Sequence, residues 1–396
     1  MNLSRRTVVV GVAMLLAAIA AAACSPSPGT PTTTLTTTPT APVVNSFQML
    51  APRRVAPVTA TFQWRISDAN GDSMTCRFDF DGDGTVDQTV THCPTSGDLL
   101  RQYTHAGPIA PTLTVTDGTL FSDTATVDPV VVTAGPSEPF NITLLFDPGI
   151  DPTYRAAFEA AAHRWEQVIV DGWAPEPLSV PQDFLGWIPA FNGTVDDVLI
   201  AARAVPLDGP LGLLGQAGTL ASRAGDGTPY FGMMEFDSAD LADYAADGRL
   251  LDLILHEMGH VLGIGTTWVA DGRIDDALTN PTYNGAAGNA AWHELGGAGK
   301  VPVEDQGGPG TRLVHWRETT FDTELMTGYS DGGEQLSRVT VGALADRGYG
   351  VDLSAADEYH LPGTWPLVAL RAEPRGHQHT TLVQPLPESV LATLRP

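Results

Sequence analysis

The chain has 396 residues, 43% of them hydrophobic, which is enough for two domains with cores of their own. It carries 46 acidic residues against 21 basic ones, a formal net charge of −25 at pH 7. Because phosphate contacts need clustered Lys and Arg, this balance excludes non-specific nucleic-acid binding. Three cysteines, Cys24, Cys76 and Cys93, each lie where a specific role is expected.

Residues 1–24 have the pattern of an export signal. Two arginines near the start supply charge, Val8–Ala23 form an apolar stretch too short for a membrane span, and Cys24 ends the segment. The position of Cys24 resembles that of the lipidated Cys in bacterial lipoprotein signals, although Ala21 stands where that pattern has Leu. Simple cleavage and an uncleaved anchor are the alternatives. All three place the rest of the chain outside the cytoplasm.

Residues 25–42 are rich in Thr and Pro. Such a composition cannot bury apolar surface, so it predicts an extended, disordered linker. We expect this linker to hold the folded part of the chain off the membrane.

The pattern of residues 43–135 predicts one small all-β domain. Three segments alternate apolar and polar residues between turn clusters: Val58–Arg65, Met74–Phe80 and Thr112–Thr116. The run Cys-Arg-Phe-Asp-Phe-Asp-Gly-Asp-Gly at 76–84 and the run Leu-Thr-Val-Thr-Asp-Gly at 113–118 resemble those of PKD domains, which are immunoglobulin-like β-sandwiches common on secreted bacterial enzymes. The resemblance implies a spacer, or a module that binds a surface or a substrate, and not a catalytic domain.

Two of the cysteines, Cys76 and Cys93, fall in this domain, 17 residues apart. In an exported protein we expect them to form a disulfide, which stabilises a loop of that length by ~3 kcal/mol. The alternative is a pair of free, buried thiols.

An Asp-rich loop in the same domain matches the first half of a calcium loop. Its carboxylates stand at loop positions 1, 3, 5 and 9, and they are Asp79, Asp81, Asp83 and Asp87. Gly84 takes position 6, but position 12 is Val90, where an EF-hand needs Glu. The loop is therefore either an isolated Ca²⁺ site or a polar hairpin turn. Four carboxylates this close repel one another without a cation.

Residues 139–362 are predicted to form a second domain of mixed helices and strands. Its strand candidates are Phe140–Phe146, Asp197–Ala202 and Tyr230–Phe236. A helix that begins at Asp151 buries an aromatic face, and a short helix over Thr340–Arg347 ends at Gly348. Residues 265–311 form a long irregular stretch, a length typical of functional loops.

A helix predicted at about 249–262 carries the strongest chemical motif of the chain, His-Glu-x-x-His. Its apolar face is Leu251, Leu255, Met258 and Leu262. His256 and His260 project from one side a turn apart, so both imidazoles can reach one Zn²⁺ at ~2.0–2.1 Å. Glu257 is placed to take a proton from an activated water. Gly263 can end the helix in a left-handed turn.

A catalytic zinc needs a third protein ligand. In one common peptidase pattern that ligand is a His at the position that Thr266 takes here. Thr cannot replace His, so the third ligand must come from later in the chain. The candidates are His293 and His315; a carboxylate, as in zinc peptidases of another clan, is a further alternative.

At this point the sequence resembles the leishmanolysin-like peptidases, the M8 family of metzincins. That family keeps the Gly after the second His but inserts a segment before the third. The segments that carry the resemblance are Gly-Leu-Leu-Gly-Gln-Ala-Gly at 212–218, His-Trp-Arg-Glu at 315–318, Glu-Leu-Met-Thr-Gly at 324–328 and residues 336–349. The resemblance covers about residues 140–360 and implies an α+β metzincin-type zinc peptidase domain of two lobes.

The resemblance implies His256, His260 and His315 as zinc ligands, Glu257 as the general base and Met326 in the turn beneath the metal. Local context also favours His315 over the other candidate. The Met-containing turn follows His315, whereas only a flexible Gly-rich run follows the other histidine. Tyr329, shortly after the Met, is a candidate donor to the oxyanion, with packing as its alternative role.

Taken together, these patterns predict an exported, surface-tethered zinc metalloendopeptidase that acts on proteins or peptides. We expect contact with a membrane through the lipid on Cys24, no nucleic-acid partner and a monomeric chain. The alternative is a non-catalytic adhesion lipoprotein in which the PKD-like domain binds and the peptidase domain is degenerate. The intact His-Glu-x-x-His motif argues against degeneracy. The last segment, residues 363–396, is a Pro-rich tail in which His377 and His379 are expected to be exposed and not ligands.

Overall fold

A computed structural model describes residues 40–118, 122–135, 138–210 and 212–362, and the backbone of 377–378. The predicted export signal with Cys24, most of the linker and nearly all of the tail lie outside the described residues. Within the described ranges, no helix has the length and apolar character that a membrane crossing requires.

The first domain is built from antiparallel sheets. Its described strands are β1 Val43–Leu50, β2 Val55–Ala56, β3 Val58–Ser67, β4 Thr75–Asp79, β5 Gln88–Thr91, β6 Ser96–Tyr103, β7 Gly107–Ile109, β8 Thr112–Thr116, β9 Ser122–Thr126 and β10 Val130–Ala134. The two larger sheets have the orders β1–β3–β6 and β5–β4–β8–β9, and a small sheet has the order β2–β10–β7. Only the β2–β10 pairing is parallel among these.

Alternation along the strands places one face of each larger sheet in a common core. In β8, Leu113 and Val115 are fully buried, while the threonines that alternate with them are partly exposed. Aromatic rings from both sheets meet in this core: the centroids of Phe62 and Phe80 lie 5.0 Å apart, and those of Trp64 and Phe78 lie 5.2 Å apart. The domain is therefore a β-sandwich.

Cys76 and Cys93 form a disulfide in the sandwich, and both are buried. Their Cα atoms lie 5.6 Å apart. The bond ties β4 to the segment that follows β5, and the backbone N–H of Cys93 also donates to the carbonyl of Met74 at 2.8 Å.

The second domain combines helices with a mixed sheet. Its described strands are β11 Ile142–Phe146, β12 Ile169–Asp171, β13 Glu176–Val180, β14 Phe191–Val195, β15 Val198–Val205, β16 Gly215–Ser222, β17 Pro229–Asp237, β18 Ile274–Asp275, β19 Thr282–Tyr283, β20 Val301–Pro302, β21 Tyr329–Ser330 and β22 Gly350–Val351. Its described helices are α1 Arg155–Val168, α2 Leu241–Ala246, α3 Leu250–Val261, α4 Ala286–Glu294, α5 Glu318–Phe321 and α6 Arg338–Arg347. Short 3₁₀ turns lie at Pro152–Tyr154 and Leu353–Ala355. The backbone of β23, His377–Gln378, pairs with β21.

The main sheet has the order β11–β15–β17–β16. The first three strands are parallel, and β16 runs antiparallel along one edge. Residues from α1 and α3 share one buried cluster with one face of this sheet. The β13–β14 hairpin and neighbouring aromatic residues cover the other face. Helix α3 therefore packs against both the sheet and α1, which itself contacts the sheet through Phe158.

Helix α1 buries the predicted aromatic face, with Phe158 and Trp165 fully buried. The indole N–H of Trp165 donates to the carbonyl of Leu255 at 3.0 Å, which joins α1 to α3. The prediction of which face of α3 is buried is partly wrong, because Leu251 is 39% exposed while Leu250 and Leu253 are buried. A helix covered on several sides is apolar around most of its circumference, so spacing alone does not identify its single exposed position.

The stretch after α3 has more regular structure than its sequence predicts. Helix α4 lies within residues 265–311 and packs on α6. Asp346 of α6 accepts hydrogen bonds from the backbone N–H groups of Ala287 and Gly288, both at 2.9 Å, and so caps the start of α4. This contact between distant segments is not visible in the local sequence pattern.

The sandwich contacts the second domain directly. Arg53 forms an ion pair with Asp171 at 2.8 Å and stacks over the ring of Trp173. The side-chain amide of Gln102 donates to the carbonyl of Val351. The PKD-like resemblance implies a spacer or a binding module, and the structure adds that the sandwich shares a polar interface with the second domain.

Candidate metal centre

Three buried histidines meet at the end of α3. His256 and His260 come from the helix, and His315 comes from the segment before α5. Their Nε2 atoms lie 3.0 Å apart for the helix pair, 3.0 Å between His260 and His315, and 3.3 Å between His256 and His315. All three side chains are at most 2% exposed. The structure therefore brings together the ligand set that the sequence predicted.

Backbone carbonyls hold each ring from its other nitrogen. The Nδ1 of His256 lies 2.6 Å from the carbonyl oxygen of Leu325. The Nδ1 of His260 lies 2.8 Å from the carbonyl oxygen of Ile264, and the Nδ1 of His315 lies 2.9 Å from the carbonyl oxygen of Thr311. A carbonyl oxygen only accepts, so each Nδ1 carries the proton and each Nε2 carries a lone pair. Three lone pairs are thus directed at one small volume.

This arrangement fits a zinc ion. Nitrogen atoms 3.0–3.3 Å apart can all lie ~2.0–2.1 Å from one ion, which is the usual Zn–N distance. Hydrogen bonding of Nδ1 to a carbonyl is the usual support of a ligating His. Burial lowers the pKa of His315 to about 4, against the weaker opposing effect of its bond to Thr311, so the ring is neutral as a ligand must be.

Glu257 lies beside the triad on α3 and is fully buried. Burial raises the pKa of its carboxyl well above the ordinary value. Edge strand β16 passes close to this side chain: a Cβ on Gly215 would lie 2.8 Å from the Glu257 Oε1. Gly215 therefore leaves the space that the carboxyl occupies, a role that its position in a Gly-rich run does not reveal by itself.

Met326 packs against α3 at Gly259. A Cβ on Gly259 would lie 2.7 Å from the Met326 sulfur, so the thioether packs on α3 at Gly259, which lies between His256 and His260 in the sequence. Met326 is fully buried, and its carbonyl accepts from the backbone N–H of Trp316 at 3.0 Å. The turn thus contacts both ligand-bearing segments. Tyr329 begins β21 just after this turn and is half-buried.

His293 is held elsewhere. Its Nδ1 lies 2.8 Å from the Asp98 carboxylate of the sandwich, and its Nε2 lies 2.8 Å from the carbonyl of Gly299. Burial lowers its pKa, but these two acceptors raise it more, so the net shift is upward. Both ring nitrogens face acceptors, which leaves neither as a metal ligand. His293 belongs to the contact between the domains.

The predicted calcium loop is largely satisfied by its own backbone. Oxygens of Asp79, Asp81 and Asp87 come within 4.8 Å of one another, and Asp83 is not part of that group. Asp79 accepts from the N–H groups of Gly82 and Gly84, and each of the other three carboxylates accepts from one backbone N–H. These bonds are those of a polar turn. Calcium at this loop stays a prediction.

A second acidic group lies elsewhere in the sandwich. Oxygens of Asp68, Asp72 and Asp117 come within 4.8 Å of one another. Asp68 accepts from two backbone N–H groups of its own loop. Asp117 is 8% exposed, and both its oxygens are buried without a hydrogen-bond partner among the described residues. The local sequence pattern does not reveal this group, because its members lie on two loops, one after β3 and one after β8.

A cleft of ≈ 570 Å³ lies where the domains meet. Residues of both domains line it, among them Trp64, Arg65, Asp98 and His293. None of the residues of the metal centre lines it.

Comparison with known proteins finds relatives of the second domain. Residues 187–361 match the Peptidase_M8 family model, described as Leishmanolysin. The leishmanolysin of Leishmania donovani is 31% identical over 145 residues, which are 34% of this chain and 24% of that protein. The leishmanolysin of Leishmania major is 26% identical over 217 residues, or 52% of this chain and 35% of that protein. The chain thus spans about a third or less of the length of these relatives.

Among solved structures, the PKD1 domain of the metalloprotease PrtV from Vibrio cholerae is similar to part of this chain. The identity is 32% with a TM-score of 0.18, and the match covers 24% of this chain and 99% of that one. The family match spans α3, the third histidine and the Met-containing turn, which are the segments on which the resemblance was based. Residues 187–361 are therefore similar to the leishmanolysins of the M8 peptidase family.

Proposed function

We propose that this protein is an exported zinc metalloendopeptidase. One observation carries the proposal: three buried imidazoles, each fixed through Nδ1, direct their Nε2 lone pairs at one point beside a buried glutamate. Homology to leishmanolysin supports a zinc metallopeptidase family. The metzincin-type fold, the endopeptidase activity and the roles of single residues are part of the proposal.

In this mechanism the residues of the chain do distinct tasks. His256, His260 and His315 would hold the zinc. When bound there, zinc supplies a water of lowered pKa and polarises the scissile carbonyl. Glu257 accepts the proton of the attacking water and returns it to the leaving amine. Because β16 is an edge strand next to Glu257, it is also the element against which an extended substrate would lie.

The chain's location belongs to the same proposal. The pattern of residues 1–24 supports export, and Cys24 supports a lipid tether on the outer face of a membrane. A membrane-held peptidase of this kind would act on proteins or peptides outside the cytoplasm.

Casein cleavage by purified protein tests the activity, with Glu257→Gln as the decisive variant. The amide keeps the shape of the side chain but cannot accept the proton, so we expect cleavage to fall at least ~100-fold. Zinc content by metal analysis and the unfolding temperature should stay nearly unchanged. Wild-type protein that binds zinc yet cleaves nothing would instead favour the adhesion alternative, and a variant within tenfold of wild type would refute the base.

A further inference from the structure

Glu324, which lies two residues before Met326, is a buried carboxylate near the three histidines. It is fully buried, and four donors surround it. One oxygen accepts from the backbone N–H of Met326 at 2.6 Å. The other accepts from the Ser337 hydroxyl at 2.7 Å, the Ser337 backbone N–H at 3.2 Å and the Thr340 hydroxyl at 2.6 Å. The carboxylate thus bridges the Met-containing turn and the first turn of α6.

The first connection runs from Glu324 to His256. Its bond to the N–H of Met326 fixes the peptide unit between Leu325 and Met326. The oxygen of that same peptide unit, the Leu325 carbonyl, lies 2.6 Å from the Nδ1 of His256. Rotation of this peptide would therefore break the bond to Glu324 and tilt the imidazole ring at the same time.

The second connection runs from Glu324 to His315. The Thr340 hydroxyl that donates to Glu324 accepts from the indole N–H of Trp316 at 2.7 Å. Trp316 is fully buried and follows His315 directly in the chain. The two ligand segments that come from distant parts of the sequence are thus linked to one carboxylate.

We infer that Glu324 is a positioning residue for the metal centre, holding His256 and His315 at the separation that binds zinc. All four partners are uncharged donors, and a carboxylate offers only acceptors, so it satisfies the whole set. An amide cannot, because its NH₂ group must face at least one donor. The inference rests on the proposed zinc site, but it concerns ligand geometry and not the reaction.

Zinc affinity and the cobalt spectrum of Glu324→Gln test this role. We expect zinc, measured by chelator competition, to bind ~10–100-fold more weakly than in wild type, the range for residues that orient ligands. The visible absorption of the Co²⁺-substituted protein, which reports ligand geometry, should change in shape. If this variant does not fold, Thr340→Val removes only the hydroxyl that links Glu324 to Trp316, and we expect a weaker effect of the same kind.

Asp346→Asn is the matched control, because Asp346 is also a buried carboxylate that caps a helix but has no bond to the Met turn or to Trp316. It should lower the unfolding temperature and leave zinc affinity and the cobalt spectrum as in wild type. Zinc affinity and spectrum unchanged in a folded Glu324→Gln, or changed equally in Asp346→Asn, would overturn the positioning role. Failure of wild-type protein to bind zinc would instead refute the proposed function.

Discussion

At the scale of single residues, the hydrogen bonds of the two ring nitrogens distinguish the three proposed ligands from His293. The three rings of the triad donate from Nδ1 to carbonyls and keep Nε2 for a metal. His293 uses both nitrogens on acceptors, one of them a carboxylate. Sequence context favoured His315, but only the hydrogen bonds give a physical reason to exclude His293.

Substitution of these two histidines tests the assignment. His315→Ala removes one of three nitrogens, so we expect the protein to lose zinc at micromolar chelator and to lose activity. His293→Ala should keep both. Metal analysis after dialysis against chelator makes the comparison. The opposite pattern, with zinc lost only in His293→Ala, would show that the third ligand is wrongly assigned.

Gly215 is the residue whose missing side chain makes room for the base. In Gly215→Ala the new methyl would lie 2.8 Å from the Glu257 Oε1, so the carboxyl must move. We expect kcat to fall by up to ~100-fold, the effect of a misplacement of about 1 Å, with zinc content unchanged. Gly225→Ala is the control, because a Cβ there meets no atom within 4 Å. Equal activity of both variants would mean that Glu257 does not need this space.

At the scale of elements, the acidic loops of the sandwich differ in whether their carboxylates accept hydrogen bonds from the backbone. In the 79–87 loop, backbone N–H groups donate hydrogen bonds to the carboxylates, as in a polar turn. The group that contains Asp117 differs, since both oxygens of that side chain are buried without a partner among the described residues. An unpartnered buried carboxylate is costly unless a cation or a proton compensates it.

We therefore expect Ca²⁺ to bind at the group formed by Asp68, Asp72 and Asp117. Millimolar Ca²⁺ should raise the unfolding temperature of the protein, because a ligand that binds only the folded state stabilises it. Asp117→Asn should remove this rise, whereas Asp81→Asn, in the 79–87 loop, should leave it. Calorimetry with Ca²⁺ and with chelator measures both variants. A rise that disappears in Asp81→Asn and persists in Asp117→Asn would instead place calcium at the 79–87 loop, as the sequence predicts.

At the scale of the whole molecule, the contact between the domains contains buried charge. Asp171 is 2% exposed and pairs with Arg53 of the sandwich. Burial raises the pKa of Asp171 to about 6, with Arg53 opposing the shift and Asp197 adding to it. The domain contact is therefore a site where stability depends on pH.

The sign of this dependence follows from the direction of the shift. An unfolded Asp has a pKa of ~3.9, so between that value and about 6 the folded protein binds more protons than the unfolded chain. The contribution of protonated Asp171 to stability is thus complete below ~pH 4 and is lost as pH rises through about 6.

Unfolding temperatures across this pH range test the shift. Relative to Asp171→Asn, wild-type protein should lose stability as pH rises from ~4 to ~6, and the difference should then level off. The control is Asp196→Asn, a change at an exposed residue next to Asp197. The unfolding temperature of this variant should depend on pH as that of wild type does. A constant difference between wild type and Asp171→Asn over the whole range would show that the carboxyl has the same pKa in both states.

Local patterns were informative wherever the chemistry lies within a few turns of chain. The spacing of His256 and His260 predicts a metal site on one helix, because residues four apart share a helix face. The aromatic face of α1 and the alternation in β8 were likewise visible in the sequence. The segments of the resemblance to the M8 family were equally local, and the family match confirms that resemblance.

By itself, then, the sequence determined the helix that carries His256, Glu257 and His260, the Gly that follows it, and the resemblance of the second domain to the M8 family, since these depend on short spacings. Only the tertiary structure decided which distant groups meet them. The placement of His315, the contact of Gly215 with Glu257, the hydrogen bonds of Glu324 and the docking of His293 on Asp98 all join segments far apart in the chain. Such contacts are set by how helices and strands pack, and packing depends on the whole core and not on any local period.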